Sequence, residues 1–278
     1  PVVRRADGSW LYLLPSVIDD IDLRITHVLR GEDHVTNSAV QLQMFAALGA
    51  PPPAFAHEAL LVAGGQEGDG GKLSKRLGSS GVEELRQAGI EPMALNSLLA
   101  RLGTSQPVEA KATLAELASG FDLSTFGRAP AHFDGSDVEQ LNSKLLHHLD
   151  FATVADRVPA GIGEAEWALL AGNIDHLGEL SDWVPVLDGD IAAAPLEPDD
   201  RAFLGQAADC AQAIDWSGDP WGKLAAALKQ RTDRKGKALF RPLRLALTGR
   251  ESGPEMAPLV KRIGRERTLA RLAAAANG

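Results

Sequence analysis

The run Lys72-Leu73-Ser74-Lys75-Arg76 places three cations within five residues, directly after the loop Gly64-Gly65-Gln66-Glu67-Gly68-Asp69-Gly70-Gly71. Glycine permits the backbone conformations that a closing loop visits, and fixed ammonium groups can meet negative charge that develops during phosphoryl or nucleotidyl transfer. That pairing suits closure over a polyphosphate. The same five residues also fit a solvated basic turn, because short basic runs are common and weakly specific. A second candidate stands upstream: Arg30 ends the β-branched, apolar run Ile25-Thr26-His27-Val28-Leu29. Its guanidinium could meet a carboxylate with two parallel hydrogen bonds, or form a structural ion pair with Glu32 or Asp33.

The elements that must position these groups mix strand and helix signals. Asp7-Gly8 is a turn signal between Val2-Val3 and Trp10-Leu11-Tyr12-Leu13-Leu14, which read as two extended segments. Residues 25–29 read as a buried strand and about 37–48 as a helix, with Val40, Leu42, Phe45, Ala46 and Leu48 toward one face. Gly49 and Pro51-Pro52-Pro53 should stop that helix. His57-Glu58-Ala59-Leu60-Leu61-Val62 then reads as the next strand, and strand–helix–strand order predicts a parallel α/β sheet. Such sheets bind ligands beyond the carboxyl ends of their strands, so Arg30 and the glycine loop are expected on one edge. After Arg76 the strand signal fades. Helical patterns follow at 82–88, 92–102, 111–119, 137–149, 164–171, 198–213, 219–230, 237–248 and 264–276. Pro and Gly punctuate 128–136, 158–163, 185–197 and 217–222. The expected fold class is an α/β remnant followed by an all-α region.

Composition narrows the function classes. At 278 residues, 45% hydrophobic and 23% charged, the chain is an ordinary globular protein of two or more domains. No apolar run approaches the roughly 18 residues that span a bilayer. A single cysteine, Cys210, rules out an internal disulfide framework and fits a reducing cytoplasm. The seven histidines show no zinc spacing, and the adjacent His147 and His148 read as surface residues. The net charge of -9 conceals an asymmetry: from Arg231 onward, 12 Lys and Arg face 4 Asp and Glu. A basic end on an acidic body could meet a polyanion locally, or could be a solvated cationic helix face.

From Asp7 to Gly103 the chain resembles glutamyl-tRNA synthetase, a class I aminoacyl-tRNA synthetase of bacterial type. The resemblance is carried by Asp7-Gly8-Ser9-Trp10-Leu11-Tyr12, Val17-Ile18-Asp19-Asp20, Arg30-Gly31-Glu32-Asp33-His34 and Lys72-Leu73-Ser74-Lys75-Arg76, in family order. Ala94-Leu95-Asn96 and Leu102-Gly103 continue it; Phe121-Asp122-Leu123, Phe133-Asp134 and Leu141-Asn142 extend it more weakly. The stretch from Ala238 to Gly249 is similar to the closing helices of the anticodon-binding region.

The resemblance implies the second half of a Rossmann-like nucleotide-binding domain at 1–76, a helical stem-contact domain at 77–150 and a helical anticodon-binding domain at 151–278. Lys72, Ser74, Lys75 and Arg76 would belong to the loop that stabilises the ATP triphosphate, with Lys75 nearest the transition state. Tyr12, Ser16 and Arg30 would bind glutamate; Asp33, His34, Leu61 and Leu73 would lie near the adenosine, unless Asp33 simply caps the following helix. Ser16 stands where many family members carry a longer polar side chain. Asp19 and Asp20 would lie close to the pocket or act as structural acids. The implied partners are ATP with Mg2+, glutamate and tRNA(Glu), with tRNA(Gln) left open, for a monomer in the cytoplasm with no bound zinc.

One departure stands out. The His-x-Gly-His-type signature that contacts the ATP phosphates in this class does not occur, and Pro1 stands where Met would open a complete chain. A fragment with an incomplete active site, inactive alone, is therefore expected. Two other readings remain. A non-catalytic tRNA-binding module would use the helices after 77, with Trp167, Trp183, Trp216 and Trp221 as candidate stackers or core residues. A paralogue that glutamylates a tRNA base is disfavoured by the long helical region after 150.

Overall fold

Asp7-Gly8 makes the expected turn in the computed structural model, which describes residues 2–63 and 81–278. Gly8 takes a positive φ of 86°, and the Asp7 carboxylate accepts from the amide and hydroxyl of Ser9. Arg4 and Trp10 form an antiparallel bridge across it. The second flank is not extended to its end, however: helix α1 runs Leu13–Asp22. Val17 and Ile21 lie one turn apart on it and pack with Phe45.

Strand β1, His27–Gly31, leads through a 3-10 turn, Glu32–His34, into α2, Val35–Leu48. Gly49 stops α2 in the left-handed region at φ 69°, as expected, because glycine meets no Cβ clash there. The buried face of α2 differs from the expected one. Ser38, Gln41, Met44 and Phe45 point inward, while Leu42 and Leu48 are exposed. The apolar residues of α2 are spread around its circumference, so of the expected face only Phe45 and Val40 meet the core.

Strand β2, Ala54–Glu58, pairs parallel with β1, which agrees with strand–helix–strand order. The anticipated strand at 57–62 is in fact divided. Its second part is β3, Leu61–Ala63, which pairs parallel with β4, Ala131–Phe133, in a separate sheet. Strand signal therefore does not end at Arg76. The strand before the glycine loop belongs to another sheet than Arg30, and the expected placement of residues 72–76 on one edge with Arg30 lies outside the described residues. A three-residue strand carries too little pattern to be read without its partner.

Helices α3, Val82–Gln87, α4, Pro92–Leu99, and α5, Leu114–Ser119, lie between β3 and β4 in sequence. Thr113 and Glu116 form a reciprocal capping box that starts α5. After β4 come α6, Gly135–Leu146, the single turn α7, Phe151–Val154, and α8, Glu164–Leu170. Then follow α9, Leu180–Asp188, α10, Pro198–Ala213, α11, Pro220–Arg231, α12, Lys237–Thr248, α13, Met256–Ile263, and α14, Arg265–Asn277. The interval 185–197, expected as Pro and Gly punctuation, begins inside α9. Pro185 lies within that helix, and α13 fills a gap where no helix was expected.

Two compact units are distinguished: Pro1–Arg86 with Pro92–Leu141, and Gln87–Glu91 with Asn142–Gly278. Polar bonds explain why 87–91 joins the second. The Glu91 amide donates to Asn142 Oδ1 at 2.7 Å, and the Glu91 carboxylate accepts from Arg157 at 2.8 Å. Asn142, fully buried, also donates to the Asp175 carbonyl.

The second unit has one continuous core, including Trp167, Trp183, Phe203, Leu228, Leu243 and Leu259. Arg271 lies among these helices and is 8% exposed. Its Nη1 donates to the carbonyls of Val186 and Leu247, and its Nη2 to those of Pro185 and Gly189, at 2.8–3.1 Å. These carbonyls lie near the C-terminal ends of α9 and α12, where helices leave acceptors unpaired, although that of Pro185 also accepts from the Gly189 amide. Arg271→Met should lower the unfolding free energy by about 3 kcal/mol, because it strands those buried acceptors. Arg271→Lys should recover only part, since an ammonium lacks the planar fork. Urea midpoints of both variants check this.

Candidate active-site face

The expected glutamate-binding residues converge on the start of α1, the end of β1 and the start of α2. Arg30 pairs in register with His57 on the neighbouring strand, and α2 brings Ser38 over both. Ser38 Oγ accepts from Arg30 Nη2, approaches His57 Nε2 at 2.7 Å, and donates to the His34 carbonyl at 3.2 Å. The Arg30 guanidinium also stacks on Phe55, 4.9 Å from the ring centroid. Its Nε is buried without a partner among the described residues.

Tyr12 sits at the cap of α1 rather than in a strand, and its ring is 52% exposed. Its hydroxyl accepts from Asn37 Nδ2 at 2.7 Å and lies 3.4 Å from His34 Nδ1. Asn37 Nδ2 lies 3.1 Å from the same imidazole nitrogen. One turn into α1, Ser16 Oγ accepts from Gln41 Nε2 at 2.7 Å and donates to Leu13. Gln41 Oε1, like Arg30 Nε, is buried and unpartnered among the described residues. Tyr12, Ser16, Arg30 and His34 thus share one polar seam.

Asp20 is coupled to this seam electrostatically: burial pushes its carboxyl above the usual carboxylate range, against the opposing pull of the Arg30 charge. Asp33 folds back over Gly31, where an added Cβ would come within 2.7 Å of its carboxylate. The cap of α2 is His34, with no side-chain cap bond. Leu61 lies on β3 at 38% exposure. Lys72, Leu73, Ser74, Lys75 and Arg76 lie outside the described residues.

Asn37, Ser38, Gln41 and His57 were not singled out from the sequence. The signal for the first three was present: polar residues at i, i+1 and i+4 mark a stripe on an otherwise apolar helix. His57 carried none, because only strand pairing sets it beside Arg30.

The arginines of the basic end are largely paired within the chain. Arg231, Arg234, Arg241, Arg250 and Arg262 form ion pairs with acidic residues, and Arg267 joins Arg262 at Asp188. Arg244 and Arg271 donate to backbone carbonyls. Most of the local positive charge therefore ties helices together, leaving Lys235, Lys237, Lys261 and Arg265 as its exposed remainder. Among the tryptophans, Trp167 and Trp183 are buried; Trp216 and Trp221 are partly buried against the same core.

Residues 1–140 match the model for tRNA synthetases class I (E and Q), catalytic domain. This chain belongs to that family. Residues 165–276 match an anticodon binding domain, so a class I synthetase catalytic fragment is followed here by an anticodon domain. Glutamate–tRNA ligase 2 of Sphingopyxis alaskensis is 59% identical over 275 residues, which are 99% of this chain and 62% of that protein. Glutamate–tRNA ligase 1 of Zymomonas mobilis is 51% identical over 272 residues, 98% of this chain and 60% of that protein. A glutamate tRNA ligase structure from Elizabethkingia meningosepticum, in complex with its amino acid, superimposes with TM-score 0.79 at 22% identity, covering 99% of this chain and 62% of that one. The chain thus spans about three fifths of the length of these relatives.

Within this class I synthetase chain, Ser38 is the joint of the seam. Ser38→Ala should destabilise the chain by about 1 kcal/mol, because half-buried Arg30 and the exposed His57 lose their common bond to a buried hydroxyl. Chemical denaturation checks the value; an unchanged midpoint would mean that the Arg30–Ser38–His57 contact contributes nothing.

Proposed function

We propose that this chain is the C-terminal portion of an ATP-dependent glutamate–tRNA ligase. The organisation of the seam around Arg30 carries the reading. Arg30 is held on three sides by Ser38, Phe55 and the strand, yet keeps an unused donor. A substrate carboxylate would accept from its remaining N–H groups, and Tyr12, Asn37 and Ser16 would orient the rest of glutamate. A carboxylate oxygen of glutamate attacks the α-phosphorus of ATP, and the bond to pyrophosphate breaks. The terminal tRNA ribose hydroxyl then attacks the acyl carbon of glutamyl-adenylate, releasing AMP.

Lys72, Ser74, Lys75 and Arg76 would offset charge on the triphosphate during the first step. Asp33, His34, Leu61 and Leu73 would border the adenosine. Mg2+ would arrive on the ATP phosphates rather than in a cage of carboxylates. The partners are tRNA(Glu), with tRNA(Gln) left open, for a cytoplasmic monomer. Among the described residues, no helix is long and apolar enough to cross a membrane.

We further propose the division 1–76, 77–150 and 151–278, with the first part the second half of a Rossmann-like nucleotide-binding domain. The parallel pairs β1–β2 and β3–β4 support that reading, as does their exposure. Leu29 on β1 is 46% exposed and Leu61 on β3 38%, although parallel sheets are ordinarily covered on both faces. Further polypeptide of the catalytic domain would cover these strands. A module that only binds tRNA is the second reading; Tyr12, Arg30 and Ser38 assembled into one polar seam favour the enzyme.

Three assays test this. Glutamate- and tRNA-dependent pyrophosphate exchange should be absent from the 278-residue chain and present in an N-terminally extended form; robust exchange by the chain alone overturns the proposed incompleteness. In the extended enzyme, Arg30→Ala should raise the glutamate KM at least tenfold, and a change in stability alone would favour a structural role. Lys75→Ala should slow activation by about two to three orders of magnitude with little change in glutamate affinity. An unchanged rate removes the loop's assigned task.

A further inference from the structure

The second unit holds a cavity of about 530 Å³ that no step above uses. This lies within the range of about 300–1,000 Å³ occupied by small-molecule sites. Its walls come from the strap 190–196, the first turn of α10, and the facing sides of α12 and α14. Ile191, Leu196 and Leu245 give it an apolar floor, and Ala270 and Ala274 leave room because their side chains are short.

Three charged side chains line it, those of Arg201, Arg271 and Asp190, and Gly278 stands beside them. Arg271 is committed, since its Nη donors already serve four carbonyls. Asp190, exposed at the surface, attracts that same Arg271. Arg201 is different. It is half-buried, and its Nε lies buried with no acceptor among the described residues. A buried donor without an acceptor is costly, so the cavity presents one uncommitted cation in an apolar setting.

We infer that this cavity binds an amphipathic monocarboxylate, an alkyl or compact apolar body with its carboxylate on Arg201. The edge of a guanidinium meets a carboxylate with two parallel N–H donors, and a turn of the Arg201 side chain on binding would bring its buried, unused Nε to the ligand as one of them. A phosphate dianion fits less well, because one free guanidinium would face it while Asp190 repels the second charge. A nucleobase is disfavoured too, since the lining has no aromatic ring on which to stack.

Titration calorimetry of the full 278-residue chain with octanoate tests the inference, with octanol as the uncharged counterpart. Saturable one-to-one binding of octanoate is expected, with octanol at least tenfold weaker. Arg201→Gln should cost at least tenfold in octanoate affinity at an unchanged melting temperature. Ala274→Leu, which fills the cavity without touching Arg201, should also weaken binding. Methyl NMR of alanine-labelled protein supplies a readout independent of the variants: shifts should concentrate at Ala192, Ala193, Ala194, Ala270 and Ala274. Non-saturable heats, equal affinity for octanol, undiminished affinity in Arg201→Gln, or shifts centred elsewhere would each overturn it.

Discussion

A guanidinium stays charged at any pH a protein meets, so burying one obliges the fold to supply acceptors around it. Much of this chain is arranged to satisfy that demand. Arg271 gathers carbonyls from the ends of α9 and α12, so it joins helices distant in sequence through acceptors at their C-terminal ends. Arg262 links Glu166 on α8 to Asp188 on α9, and both carboxyls are held below the usual carboxylate range by its hydrogen bonds. Arg30 follows the same rule incompletely: Ser38 and the Phe55 face restrain it, and an unused donor remains. The difference is between an arginine whose Nη donors are engaged and one with a buried donor left over.

Apolar surface is distributed unequally between the units. The second unit buries its large side chains in one continuous cluster. Among the described residues, every exposed large hydrophobic side chain falls between Val2 and Leu123, in the first unit. That unit has a small core around Val17, Met44 and Phe45, and its strands come in parallel pairs. Two parallel strands bury little by themselves. The chemistry-bearing face is therefore the one with the less complete hydrophobic support.

Helix positions were largely legible from periodicity and punctuation, with α10 and α12 falling on their expected ranges and Gly49 ending α2. Three kinds of feature were not. Strand β4 is too short to show a pattern and exists because β3 is beside it. Pro185 read as punctuation, yet it sits within α9, which packing sustains. The inward face of α2 is half polar, because Ser38 and Gln41 serve Arg30 and Ser16 beside the apolar Met44 and Phe45. In each case a tertiary partner outweighs the local preference.

The sequence by itself determined the order and type of most elements, the family, and the chemistry available at Tyr12, Ser16, Arg30 and His34. Those properties reside in residue identity and spacing along one chain. Tertiary structure alone decided that Ser38 bridges Arg30 to His57, and that most arginines of the basic end are held in ion pairs and carbonyl clamps. Composition counts charges but cannot say which acceptor lies within reach. That depends on parallel register and helix packing, which bring together residues far apart in sequence.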